Sequence, residues 1–214
     1  MGNMPTTKQF MFLGREPVIK RTVRQFQKCP EINSIIIVAK EDEIPLYGDI
    51  VSEYTKVISV IKGGNSRAES VKNGLKEVPS DADYIAIHDG ARCLITPNMI
   101  SRIAENAFIY GAATAACPAT DTVKVISSDG FISYTPDRKT LWNAQTPQIF
   151  KTETYRKALY SCSDFSNITD DNSVVEQMGV KVKPVDCTRT NIKITTPEDL
   201  FIGEAILKMR GQKY

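Results

Sequence analysis

The chain has 214 residues, 42% hydrophobic and 24% charged, which suits one α/β domain with a sizeable core. Its net charge of +2, without a long Lys/Arg block, gives no case for nucleic-acid binding, and no apolar run reaches the about eighteen residues of a membrane span. Cys29, Cys93, Cys117, Cys162 and Cys187 are scattered and there is one histidine, which argues against a zinc site or a disulfide framework; with no apolar leader, the cytoplasm is the expected compartment.

In chain order, Gly2, Asn3, Pro5, Thr6 and Thr7 read as a loop that delivers Lys8-Gln9-Phe10. Pro17 suits the first turn of an amphipathic helix, with Val18, Ile19, Val23 and Phe26 inward and Lys20, Arg21 and Arg24 outward. Ile35 to Val38 and Val57 to Val60 are β-branched runs expected as buried strands. Gly63-Gly64-Asn65-Ser66-Arg67 then leads into a helix carrying Ala68, Val71, Leu75 and Val78. A glycine pair between strand and helix is either a plain turn or a place where backbone approaches a ligand, and helix-start amides favour anions.

The next strand, Tyr84 to Ile87, breaks into His88-Asp89-Gly90-Ala91-Arg92. In open α/β sheets ligands bind beyond the carboxyl ends of strands. Asp89 and Arg92 there serve either a phosphorylated ligand, with or without a metal, or a simple strand-end salt bridge. Pro97 opens a helix through Phe108, and Ala112 to Ala116 reads as a strand. This alternation predicts a mainly parallel sheet with right-handed crossovers.

After Pro118 the texture changes. Thr122 to Ser127, a Ser128-Asp129-Gly130 turn and Phe131 to Thr135 predict a β-hairpin, either an edge extension or an arm reaching another subunit. Leu141 to Gln148 returns as extended chain, and Thr152 to Cys162 as helix. Ile168 to Asp171 should cap a helix carrying Val174, Val175 and Met178, and Val180 to Val185 alternates as a strand. Thr195 and Glu198 have capping-box spacing at the last helix, with Pro197 near its first turn.

Seven stretches in order carry a resemblance: M-G…P…K-Q-F (1–10), G-G-N-S-R-A-E-S-V-x-N-G-L (63–75), H-D-G-A-R (88–92) and D-T-V-K (121–124). R-K-T-L-W-N-A-Q-T-P-Q-I-F (138–150), T-D-D (169–171) and N-I-K-I-T-T-P-E-D-L (191–200) complete it. Together they resemble the 2-C-methyl-D-erythritol 4-phosphate cytidylyltransferase family; the ribitol 5-phosphate cytidylyltransferases are the alternative, ranked second on L-W-N-A-Q-T-P-Q. The resemblance implies a Rossmann-like, doubly wound nucleotidyltransferase domain over 1–214 with a dimerisation arm over 121–145. It further implies cytidylyl transfer from CTP to methylerythritol phosphate, release of pyrophosphate, Mg²⁺, and a homodimer.

By motif match the resemblance gives Lys8 and Lys193 the triphosphate and the transition state at the α-phosphate. Gly64, Asn65 and Ser70 would line the cytosine pocket, with Arg67 bracing their loop. Asp89, on the nucleotide side, and Arg92, on the substrate side, would lie beside the reacting phosphates and substrate, and Thr146 and Thr169 would contact the substrate. Thr122 and Arg138 would reach the neighbouring subunit's site. Taken by themselves the residues have plainer roles: Lys8 a solvated lysine, His88 a packing residue, Cys93 and Trp142 structural, Thr169 and Asp170 a helix cap.

The chain departs from the family at its start. The family's A-A-G-x-G-x-R-M-G is matched only from Met1-Gly2, so a first strand, a glycine loop and an arginine for the triphosphate are expected to be missing. In a doubly wound sheet that strand lies inside, so its two neighbours should show unpaired backbone, and an inactive fragment that only dimerises is a further alternative. Asn65 replaces a common Asp, and Gly90 and Cys93 replace Ala and Pro, which should loosen the turn at Asp89.

Overall fold

The computed structural model describes residues 7–162, 165 and 168–212. The loop expected over Gly2 to Thr6 lies outside these residues. Lys8–Phe10 forms a single 3₁₀ turn, followed by the short antiparallel pair β1 (Phe12–Leu13) and β2 (Glu16–Pro17). Pro17 is the residue before α1 (Val18–Gln27), as its fixed φ favours.

Val18, Ile19, Val23 and Phe26 are buried as expected, but Arg21 is not outward: it is 3% exposed. Its Nε donates to the Leu13 carbonyl at 2.9 Å. The reason is that α1 touches three apolar clusters, through Val18, through Ile19 and Val23, and through Phe26. A helix packed on several sides has no wide polar face left.

The sheet is in two parts. β3 (Ile35–Ala39) pairs in parallel with β4 (Val57–Lys62), and α2 (Ile44–Val51) connects them. The larger part has the order β10 (Lys183–Asp186), β6 (Ala112–Pro118), β9 (Trp142–Lys151), β5 (Tyr84–Ile87). β10 and β6 are parallel, while β9 runs against both β6 and β5. So β5, β6 and β10 share one direction, with β9 the reversed strand that follows the hairpin. Among the described residues β3 has only β4 as a partner and β5 only β9, which leaves one edge of each without a strand.

α3 (Arg67–Lys76) follows β4, and α4 (Pro97–Tyr110) follows β5 and ends at Gly111, φ +85°. Ile103, Ala104 and Ala107 of α4 pack on Ala113, Ala115 and Ile149. The hairpin is real but shorter than expected, β7 (Val125–Ile126) against β8 (Ile132–Tyr134), with Gly130 at φ +88° in its turn. That conformation suits glycine because it has no Cβ.

Beyond β9 come α5 (Thr152–Ser161) and α6 (Asp171–Glu176). Met178 lies past the end of α6, where the chain turns at Gly179, φ +75°. β10 starts at Lys183, later than the alternating pattern suggested. At α7 (Pro197–Met209) the cap is shifted by one residue, to Thr196 and Asp199 instead of Thr195 and Glu198. The Asp199 carboxylate accepts from the Thr195 amide at 2.8 Å and the Thr196 amide at 2.9 Å. Proline at the first helical position sets the register, so the third position is Asp199.

Candidate active site

Two neighbouring features mark the site: a cleft at the end of β3 and β4, and a charged corner at the end of β5. The cleft holds about 280 Å³ and is lined by Gln9, Tyr47, Gly63, Gly64, Asn65 and Ser70 among others. All three residues expected to line a base pocket are therefore on its wall. The loop is shaped by close packing: a Cβ on Gly64 would fall 2.2 Å from Glu69 Cγ, so only glycine fits without a shift.

The loop's amides are largely satisfied from within. Gly64 N–H donates to Ser70 Oγ at 3.0 Å, and Asn65 N–H to Glu69 Oε2 at 2.7 Å. The Ser66 hydroxyl caps α3 by accepting from Glu69 N–H at 3.1 Å. The Gly64, Asn65 and Glu69 amides are thus already engaged within the loop.

The loop is also braced from behind, as expected for Arg67. Arg67 donates to Asp171 Oδ2, whose carboxylate is 2% exposed and also accepts from the Tyr155 hydroxyl. Burial and then Asp171 push the Tyr155 phenol above its ordinary range, so it stays a donor at any working pH. Gln148 Oε1 accepts from the Asp171 and Asn172 amides, and its Nε2 donates to Asp170. Asp170 caps α6 through Ser173 N–H at 3.0 Å.

At the corner, the Asp89 Oδ2 atom lies 3.0 Å from Lys193 Nζ and 3.3 Å from Arg92 Nε. Burial pushes the Asp89 carboxyl up, but Lys193 and Arg92 outweigh it and hold it below its ordinary value. Two cations against one carboxylate leave local positive charge. Lys193 reaches this point because Ile194 N–H donates to the Ala91 carbonyl at 2.8 Å, with the Ile194 side chain fully buried.

The turn is not slack, despite Gly90 and Cys93. Arg92 N–H donates to the Asp89 carbonyl at 2.9 Å, and Thr22 Oγ1 to the Gly90 carbonyl at 2.7 Å. A Cβ at Gly90 would lie 3.0 Å from Ile19 Cδ1, so glycine lets α1 approach closely. Cys93 is 3% exposed and packs with Leu94 and Ile194.

The remaining candidates are placed as follows. Lys8 is half-buried at the head of the 3₁₀ turn, next to Gln9. Gln9 lines the cleft and has its Cγ 4.0 Å from the position of a Gly90 Cβ, so this turn joins cleft and corner. Thr146 is 5% exposed at the other side of the corner; its Oγ1 accepts from Asp89 N–H at 3.0 Å. Thr169 is exposed, one residue before Asp170.

Thr122 and Arg138 lie on the exposed arm, where Arg138 Nη1 donates to the Thr120 carbonyl at 2.8 Å. The structure thus brings Gly64, Asn65 and Ser70 together in one group and Asp89, Arg92, Thr146 and Lys193 in another.

Residues not singled out from sequence also matter. Asn191 is fully buried, and its Nδ2 donates to the Thr146 carbonyl at 3.1 Å and to Gln145 Oε1 at 3.0 Å. Arg92 Nη1 donates to the Asn191 carbonyl at 3.0 Å. Gln9, Gln148 and Asn191 all stand inside the motif stretches, which was their only signal. Tyr47, from α2, had none.

A glycine-shaped cleft opening beside a cation-rich corner, at the ends of strands in an α/β fold, is the arrangement of a protein that handles phosphorylated nucleotides. Comparison with known proteins narrows this. Residues 3–209 match the family model for 2-C-methyl-D-erythritol 4-phosphate cytidylyltransferase. The enzyme of that name from Syntrophus aciditrophicus is 42% identical over 208 residues, covering 94% of this chain and 88% of the relative. That from Caldanaerobacter subterraneus is 39% identical, covering 96% and 92%.

Among solved structures, 4-diphosphocytidyl-2C-methyl-D-erythritol synthase from Anaerococcus prevotii superposes with a TM-score of 0.85 at 30% identity, covering 91% of this chain and 87% of that one. The chain belongs to the 2-C-methyl-D-erythritol 4-phosphate cytidylyltransferase family.

Proposed function

We propose that this chain transfers the cytidylyl group of CTP to 2-C-methyl-D-erythritol 4-phosphate, a step of isoprenoid precursor synthesis, and releases pyrophosphate. A phosphate oxygen of the polyol attacks the α-phosphorus of CTP; the new P–O bond forms as the bond to the β-phosphate oxygen breaks. The observation that carries this reading is the convergence of Lys193, from a distant segment, on the Asp89–Arg92 turn beside the Gly64 cleft.

Such a transfer needs positioning and charge neutralisation more than an acid–base pair. Lys193 and Lys8 would hold the triphosphate and stabilise charge at the α-phosphate. Asn65, with Gly64 and Ser70, would receive the base, Asp89 would lie on the nucleotide side of the reacting phosphates, and Arg92, Thr146 and Thr169 would surround the polyol phosphate.

Among the described residues no group of three or more His, Cys, Asp or Glu side chains is placed to hold a metal. That suits Mg²⁺ arriving on the oxygens of the triphosphate, since Mg²⁺ keeps several waters and needs no protein cage. When bound it would neutralise phosphate charge. The arm supports a homodimer: Phe131, Ile132, Tyr134 and Ile126 are each more than half exposed on it. Thr122 and Arg138 would then serve the partner's site.

Among the described residues no helix is long and apolar enough to cross a membrane, and Cys29, Cys93, Cys117 and Cys187 are buried thiols. The free thiols are what support a cytoplasmic location, since a reducing compartment keeps cysteines unpaired.

The test is pyrophosphate release with CTP and methylerythritol phosphate, each omitted in turn, with ribitol 5-phosphate as the competing acceptor. Release requiring both CTP and methylerythritol phosphate supports the reading. A folded dimer that binds no CTP refutes it for this polypeptide.

A further inference from the structure

His88 is the chain's only histidine, and it stands between the two halves of the charged corner. Its Nδ1 is 3.1 Å from Thr146 Oγ1, and its Nε2 is 3.2 Å from the Arg92 carbonyl oxygen. A carbonyl can only accept, so Nε2 carries a proton. The ring stacks at a tilt against Phe26, centroids 4.7 Å apart, and burial lowers its pKa to about 4. The imidazole is therefore neutral near pH 7, its Nδ1 is a bare lone pair, and the Thr146 hydroxyl must donate to it.

This closes a ring of contacts. Thr146 donates to His88, His88 donates to the Arg92 carbonyl, Arg92 donates to the Asn191 carbonyl, and Asn191 donates to the Thr146 carbonyl. We propose that His88, as the neutral Nε2–H tautomer, is the positioning residue of the corner, fixing both the Thr146 hydroxyl and the Asp89–Arg92 turn. Thr146 also accepts from Asp89 N–H, so one lone pair and no proton remain. Toward a substrate Thr146 then accepts a hydrogen bond from a hydroxyl and cannot donate one to a phosphate. This last consequence rests on the proposed function; the tautomer does not.

The first test is ¹⁵N NMR of the full chain labelled at histidine, where one residue gives one pattern. The expected result is a protonated Nε2 and an unprotonated Nδ1, unchanged across neutral pH although Asp89, Arg92 and Lys193 are the charged groups facing the ring. An Nδ1–H tautomer, or an ordinary titration, would overturn the proposal whether or not the chain is an enzyme.

The second test is kinetic. His88→Asn keeps an acceptor for Thr146 but not the donor to Arg92; His88→Gln keeps the donor but not the acceptor. Each should lower kcat by about ten- to a hundredfold, as misplacement of reacting groups does, with little change in the KM for CTP. The pH–rate profile should keep its shape. Loss of one limb of that profile, which marks an acid–base catalyst, or full kcat in His88→Leu, would refute positioning.

Discussion

Asp171→Ala attacks the brace behind the cleft loop, and its cost can be worked from the contacts. The substitution takes the acceptor from the Tyr155 hydroxyl, whose residue is fully buried. A buried hydroxyl left without a partner costs about 1–3 kcal/mol. It also removes the counter-charge of Arg67, but that side chain is 43% exposed, so solvent screens the pair and it adds no more than about 1 kcal/mol.

The total, about 1–4 kcal/mol, corresponds to a fall in Tm of about 2–16 °C for a chain of this size. Asp171→Asn keeps an acceptor for Tyr155 and loses only the charge, so it should fall by about 2–4 °C. Urea and thermal melts of both variants and of Tyr155→Phe measure this, and a double-mutant cycle isolates the Tyr155–Asp171 coupling. If Asp171→Asn melts with Asp171→Ala, the buried hydroxyl bond is not what stabilises the brace, and the reasoning fails. Because Arg67 opens α3 directly behind Asn65, the KM for CTP should rise in Asp171→Ala even where the protein remains folded.

Gly64→Ala should weaken CTP binding about tenfold or more in titration calorimetry, because its Cβ would displace Glu69 and with it the Asn65 amide. Lys193→Ala should lower kcat by about a hundredfold in steady-state assays, as loss of a charge-stabilising donor does, and leave Asp89 paired with Arg92 alone. Phe131→Asp should convert the proposed dimer to a monomer in sedimentation, because Phe131 is 73% exposed on the arm.

The pH dependence has a definite sign. His88 has a folded pKa near 4 against an ordinary 6.5, so the unfolded chain binds the extra proton first. Stability should fall as pH drops from about 6.5 to about 4, by about 1–3 kcal/mol with the ring only partly buried, and level off below. Urea midpoints across that range check it; in His88→Gln this component should vanish.

Local patterns in the chain were enough for strand runs such as Ile35 to Val38, for the glycine turn of the hairpin, and for helices with one wide apolar face. Those features depend on neighbours in sequence, where periodicity and φ preference act directly. The motif stretches likewise marked Gly64, Asp89, Arg92 and Lys193 as candidates for one site. The burial of Arg21 was not legible, because it follows from three clusters closing around α1 from distant parts of the chain.

The one-residue shift of the last cap was legible but missed: Thr195 and Thr196 both suit the role, and Pro197 at the first helical position puts Thr196 at the cap. The partners of Asp89, Arg67 and His88 lie between 3 and about 104 residues away along the chain, and the longer of these separations carry no periodic signal. Residue types supplied the charges and hydroxyls. Tertiary packing decided which of them face one another, and through that which protons each one holds.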